Sequence, residues 1–482
     1  MDGGQQPPLR RQSGPGGGNR RHPHPLPPPV VLGGSAHRRP GTGGPPLALP
    51  RTSPTFPSTG GRVVIRAVIW DWGSVLMRTM DIRPRIAWER RLGLPPGTLA
   101  DTFFGSQSWD RAQRGEASLD DVWAEVADRL GVSPADLSAL RRDFWAGDYL
   151  DEELIGLIQE LRSAGIRIGL LSNHSRELRQ RLGDLEPLLD AVVISGDVGV
   201  LKPDPAIYRL ALERLDVAPE EAVFVDDWRP NVEGARRLGI PGVHFRGALH
   251  LRRALADAGL PVRPPVLRPL LGIRAVIFDW GGVLSPLDFL KQSPQWEARL
   301  GLPPGALDRA LWGPEWKLLE IGAISQEEYD HHVMRALGLP DREALQRFYR
   351  EYYASDGLHP GVVAAVRNLR GRYRVALLTN AFPGHAESLQ RRHGFDPRAE
   401  FDLYVNSAEV GLAKPDPAIY QLTLDRLGVR PEETVFIDDH VRNTDAAQML
   451  GIHTIVCADV ETALADLSAL LGHPVGEVGG NK

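Results

Sequence analysis

From residue 65 onward, short runs of β-favouring apolar residues alternate with longer stretches whose apolar residues recur every three or four positions. AVIW (67–70), IGLL (168–171), AVVIS (191–195), AVFV (222–225) and GVHF (242–245) have the length and composition of buried strands. EELIGLIQELRSAG (152–165) and PAIYRLALERLDV (205–217) carry the three- and four-residue spacing of amphipathic helices. Strands alternating with helices predict a parallel sheet covered on both faces. About ninety residues separate the first two strands, and their patterns, such as SLDDVWAEVADRL (118–130), are helical. That insert is too large for one crossover and predicts an all-helical cap over the carboxyl edge of the sheet.

The pattern then repeats. IRAVIWDWGSVL (65–76) returns as IRAVIFDWGGVL (273–284), RLGLPPGTL (91–99) as RLGLPPGAL (299–307), and GLLSN (169–173) as ALLTN (376–380). GVLKPDPAIY (199–208) returns as GLAKPDPAIY (411–420), and AVFVDDWRPN (222–231) as TVFIDDHVRN (434–443). A spacing of about two hundred residues is a whole domain, so the chain is a tandem duplication. The expected fold class is α/β: two Rossmann-like doubly wound parallel-sheet domains, each with an inserted helical cap. Domain 1 is placed at 63–259 with its cap at roughly 80–152. A proline-rich linker follows at 260–272. Domain 2 is placed at 273–472 with its cap at roughly 286–358, and a short tail closes the chain at 473–482. Residues 1–62 are rich in Pro, Gly and Arg with few large apolar side chains, so a disordered, solvated tail is expected there.

Composition narrows the function classes. Hydrophobic residues make up 42% and charged residues 24% of the 482, with a net charge of −5. That balance favours neither nucleic-acid binding nor membrane attachment. A single cysteine, Cys457, excludes an internal disulfide framework. No apolar run approaches the ~18 residues of a membrane span, and no secretory signal opens the sequence, so a cytoplasmic protein is expected.

Each copy offers the same polar groups at strand ends, where doubly wound sheets hold ligands. Asp71 and Asp279 can serve as nucleophile or metal ligand, and Gly281-Gly282 supply a tight turn behind the second. Ser172 and Thr379 are hydroxyl donors, followed by Asn173 and Asn380. Lys202 and Lys414 are cations set before proline. Asp226-Asp227 and Asp438-Asp439 are carboxylate pairs, with Asn231 and Asn443 four residues beyond. Paired carboxylates suit a hard divalent cation, most naturally Mg²⁺. Cation, lysine and hydroxyl together neutralise phosphoryl oxygens while an aspartate attacks phosphorus. The lysine is expected to keep the clustered carboxylates ionised.

The order D-W-G, S/T-N, K-P-D-P-A-I-Y, D-D-x-x-x-N resembles the haloacid dehalogenase superfamily, in particular its glucose-1-phosphate phosphatases and the phosphatase domain of soluble epoxide hydrolase. The resemblance implies that Asp71 and Asp279 are nucleophiles and that Ser172 and Thr379 bind phosphate. It implies that Lys202 and Lys414 neutralise charge, that Asp227 and Asp439 bind magnesium, and that Asp226 and Asp438 are co-ligands or support them. Asn173, Asn380, Gly73 and Gly281 are candidate substrate-binding positions, and a backbone carbonyl at either glycine can still reach the metal. One departure stands out. Phosphatases of this superfamily usually carry D-x-D, whose second Asp works as general acid and base; here that position is Gly73 and Gly281.

The implied activity is Mg²⁺-dependent hydrolysis of a small phosphorylated metabolite, such as a sugar phosphate, through an aspartyl-phosphate. Two alternatives are a decayed tandem module that binds ligand or acts as scaffold, and a hydrolytic 2-haloacid dehalogenase. Without the acid, a leaving group that tolerates negative charge is favoured, such as the anomeric oxygen of a sugar 1-phosphate. His174 and His440 adjoin the motifs but are expected to be surface loop residues. Trp72 and Trp280 are expected to pack under the caps, and Asp204 and Asp416 to cap the following helices. Arg114-Gly115-Glu116 and Glu320-Ile321-Gly322 occupy matching places between cap helices, as substrate contacts or plain turns.

Overall fold

A computed structural model describes residues 64–476; the tail expected at 1–62 lies outside them. The strands, in chain order, are β1 (Ala67–Trp70), β2 (Met77–Thr79), β3 (Asp148–Leu150), β4 (Arg167–Ser172), β5 (Ala191–Ile194), β6 (Ala222–Asp226) and β7 (Gly242–His244) in the first copy. The second copy has β8 (Ala275–Phe278), β9 (Arg374–Thr379), β10 (Leu403–Asn406), β11 (Thr434–Asp438) and β12 (His453–Val456). They build two five-stranded sheets, ordered β5-β4-β1-β6-β7 and β10-β9-β8-β11-β12. Every pair within these two sheets is parallel.

Alternate strand residues face opposite layers, as the two-residue period requires. Val68 and Trp70 pack against Leu154, Leu157 and Leu161 on one face. Ala67 and Ile69 pack with Ile207, Tyr208 and Leu212 on the other. The second sheet does the same, Val276 and Phe278 facing one helical layer and Ala275 and Ile277 the other. Fully buried central strands explain why these runs are continuously apolar rather than alternating. Trp72 and Trp280 belong to these sheet cores, not to the space under the caps; the Trp280 ring meets His385 at 5.4 Å and Phe395 at 5.9 Å.

Each insert between the first two sheet strands is helical and has its own apolar centre, around Phe103, Trp123 and Phe144 in one copy and Leu311, Tyr329 and Phe348 in the other. Ser118 and Ser325 close capping boxes with Asp121 and Glu328 at matching cap helices. The first cap is entered and left through an antiparallel ribbon, β2 with β3. Three-residue strands leave too little pattern to be seen in sequence. Among the described residues the second copy has no such ribbon; Ser285 instead donates to Asp356 at 2.6 Å.

The two copies touch. Arg78 of β2 lies 2.5 Å from Asp151 in its own copy and 2.6 Å from Asp445 in the other. Arg253 forks onto Asp466. Arg246 donates to the main-chain carbonyl of Asp439 at 3.1 Å. The segment at 260–272 is tied into both copies: Leu260 and Val262 are buried in the first core, and the Leu270 amide donates to the Leu470 carbonyl at 2.7 Å.

Candidate active site

Strand register brings the polar groups level. Trp70 is opposite both Leu170 and Val225, so Asp71, Ser172 and Asp226 emerge at one edge of the sheet. Phe278 is likewise opposite Leu377, with Ile437 on its other side, which aligns Asp279, Thr379 and Asp438.

The lysine is the hub. Lys202 Nζ is 2.8 Å from Asp71 and 2.7 Å from Asp226, and donates to the Leu171 carbonyl at 3.0 Å. All three ammonium protons therefore have acceptors. Lys414 stands 2.6 Å from Asp279 and 2.7 Å from Asp438. The backbone of each lysine is fixed by the asparagine after the second strand. Asn173 accepts from Lys202 N at 2.8 Å and donates to its carbonyl at 2.9 Å; Asn380 does the same for Lys414 at equal distances. Both polar atoms of each amide are thus committed to the lysine loop.

The first Asp of each pair is held just as fully. Asp226 accepts from Trp228 N at 2.7 Å and from Asn231 Nδ2 at 3.1 Å. Asp438 accepts from His440 N at 2.8 Å and from Asn443 Nδ2 at 3.0 Å. Tyr208 and Tyr420 brace the asparagines, donating to the Asn231 carbonyl at 2.8 Å and the Asn443 carbonyl at 2.9 Å. Sequence reasoning assigned these tyrosines no role, although both stand in the duplicated KPDPAIY. Asp204 and Asp416 cap their helices as expected, accepting from Ala206 N and Ala418 N.

Asp71, Asp226 and Asp227 converge, each offering an oxygen within 4.8 Å of the others, and Asp279, Asp438 and Asp439 do the same. Burial pushes the Asp71 carboxyl up to about 8; Lys202 opposes this, and Asp226 and Asp227 add to it. Burial likewise raises Asp227 to about 6, lifts Asp279 well above its ordinary value and raises Asp439. The lysine opposes the effect of burial on Asp71 and Asp279 but does not cancel it. The donor set, three hard carboxylates against a single ammonium, fits a divalent cation.

The turn after the first strand departs from the two-glycine reading. Gly282 has φ +66°, and a β-carbon there would run into the Asp439 carboxylate; Gly281 is not left-handed. In the first copy the left-handed residue is Ser74, at φ 58°, whose side chain lies near enough to Asp227 to favour its ionised form. His174 is not a surface residue. It is buried with its ring edge-on to Trp109 at 5.1 Å, and burial pulls it down to about 4, so it is neutral. His440 is exposed, as expected.

Both cap turns reach the sheet domains. The Gly115 carbonyl accepts from Arg176 at 2.6 Å, and a β-carbon on Gly322 would lie 2.7 Å from the Ala408 carbonyl.

The family model for haloacid dehalogenase-like hydrolases matches residues 65–239 and 273–451. The chain belongs to that family. As a haloacid dehalogenase-like hydrolase it is 30% identical to phosphatase MT3486 of Mycobacterium tuberculosis over 233 residues, which is 44% of this chain and 97% of that protein. It is 35% identical over 217 residues to mouse acyl-CoA dehydrogenase family member 10, and 27% identical over 218 residues to pig bifunctional epoxide hydrolase 2. Each match covers 42% of this chain. It spans only 19% of the mouse protein's length and 39% of the pig protein's. Among the described residues no helix is long and apolar enough to cross a membrane.

Proposed function

We propose that this hydrolase is a Mg²⁺-dependent phosphatase that cleaves a small phosphomonoester through an aspartyl-phosphate. The observation that carries the reading is the lysine bridging two buried aspartates, with a third carboxylate converging on them, in both copies. Asp71, Asp226 and Asp227, and in the second copy Asp279, Asp438 and Asp439, would hold the cation. When bound it supplies positive charge to the carboxylates and to the phosphoryl oxygens.

The rest is done by the chain itself. Asp71 or Asp279, fixed at its strand end, attacks phosphorus. Ser172 or Thr379 hydrogen-bonds a phosphoryl oxygen, and Lys202 or Lys414 offsets the charge that gathers there. Asn173 and Asn380 act through the lysine, holding its loop in place. Water then attacks phosphorus and releases phosphate and the free aspartate. A small phosphorylated metabolite is the expected substrate and the cytoplasm the expected compartment. The similarity to a phosphatase over nearly its whole length supports this reading. A 2-haloacid dehalogenase, attacking carbon, would have no use for three carboxylates gathered at one point.

The test is phosphate release from a panel of phosphorylated metabolites by the full chain. Release is expected with Mg²⁺ and falls to background in EDTA. Release indifferent to EDTA, or chloride release from 2-chloropropionate, would overturn the reading.

A further inference from the structure

The acid missing at Gly281 has a replacement in the second cap. The repeat fixes the comparison: Trp109 and Ser118 in the first cap match Trp316 and Ser325 in the second, which pairs Gly115 with Gly322 and Gln113 with Glu320. Both glycines are left-handed, at φ +76° and +68°. Both press on the same element of the sheet domain, at Gly196 and at Ala408. The residue two before the glycine is thereby delivered to the strand ends. In the first copy Gln113 donates to the carbonyl of Asn173, the residue after Ser172, at 3.3 Å. In the second copy the same place holds a carboxylic acid.

Resting on the phosphatase reading, we infer that Glu320 is the proton donor to the leaving group in the second copy, and that the first copy, with Gln113, has none. Glu320 sits in the turn that ends the helix Pro314–Leu319 and is hydrogen-bonded to Trp316. The charged groups that face it are Lys317 of its own helix, Lys414 beside Asp279, and Arg442 of the helix Val441–Gln448. Two of these three cations come from the catalytic edge of the sheet, which puts the carboxyl within electrostatic reach of the reaction site. Burial raises it to about 7, against the pull of those cations, so a large fraction carries its proton near neutrality.

An Asp279 oxygen bonds to phosphorus while the bond from phosphorus to the leaving oxygen breaks. The electron pair of that bond stays on the leaving oxygen, which takes the Glu320 proton and departs as the alcohol. The Glu320 carboxylate then takes a proton from water as the water oxygen bonds to phosphorus. The bond from phosphorus to Asp279 breaks, its electron pair returns to the aspartate, and phosphate leaves with Glu320 protonated again. The two copies would thus divide substrates by leaving group. The first is confined to oxygens that depart without a proton, and the second accepts ordinary alcohols.

The experiment uses the full chain carrying Asp71→Asn, which silences the first copy, with and without Glu320→Gln. The substrates are substituted phenyl phosphates of similar size, from p-nitrophenyl phosphate to unsubstituted phenyl phosphate. Glu320→Gln is expected to lower kcat by ~10²–10⁴ on phenyl phosphate and only slightly on p-nitrophenyl phosphate. It should also remove a fall in kcat/KM above pH 7 that the unsubstituted parent shows. Equal losses across the series, or an unchanged pH profile, would overturn the assignment while leaving the phosphatase reading intact. No phosphate release from the Asp71→Asn chain with Glu320 present would overturn the assignment, and only its absence from the unsubstituted chain as well would overturn the phosphatase reading.

Discussion

At Gly73 and Gly281 the backbone lies outside the left-handed region, and the surroundings leave room for a side chain. A β-carbon on Gly73 would meet nothing within 4 Å, and one on Gly281 would meet only Leu287, at 3.6 Å. The absence of a second acid is therefore a matter of chemistry, not of space. Gly73→Asp, read in a chain silenced in the second copy by Asp279→Asn, should raise hydrolysis of phenyl phosphate. The ceiling is the ~10²–10⁴ that general acid catalysis typically supplies. An unchanged rate in a folded variant would show that something other than the acid limits the first copy. Gly282 is the opposite case, since both its φ and the Asp439 carboxylate exclude a side chain.

The sheets were legible in the sequence because buried parallel strands are short, apolar and followed by the residues that bear the chemistry. The duplication doubled every such signal. The ribbon of β2 and β3 was not legible, since three residues carry no period. Nor was the burial of His174, which depends on Trp109 arriving from a different element. The four motifs named the polar residues that gather at the strand ends, but not the double hold of Asn173 on Lys202, which only the folded loop reveals. The sequence marks Glu320 as part of a cap turn, yet Lys414 and Arg442, whose charges act on it, lie about a hundred residues away. The ribbon has its own consequence. Arg78 on β2 is the cation between Asp151 and Asp445, both buried. Arg78→Ala would leave two buried carboxylates facing each other, at a cost of about 3–5 kcal/mol. Thermal unfolding should show a clearly lowered Tm; an unchanged Tm would mean the contact contributes nothing.

In the whole molecule, two near-identical lysine and carboxylate clusters sit on separate sheets and differ chiefly in what their caps bring to them. The contact between copies reaches one of these clusters directly, through Arg246 and the carbonyl of Asp439. Duplication of every strand-end group argues that both edges are used, whereas the change from Gln113 to Glu320 argues that they are used differently. Both conclusions depend on one claim, that Asp71 and Asp279 are the groups that attack phosphorus. The most direct measurement is phosphate release, in Mg²⁺, by the full chain carrying Asp71→Asn and Asp279→Asn together, beside each single variant and the unsubstituted chain. If that claim holds, the double variant gives background release and the two singles give partial release, with different substrate ranges. Full release from a folded double variant would contradict it.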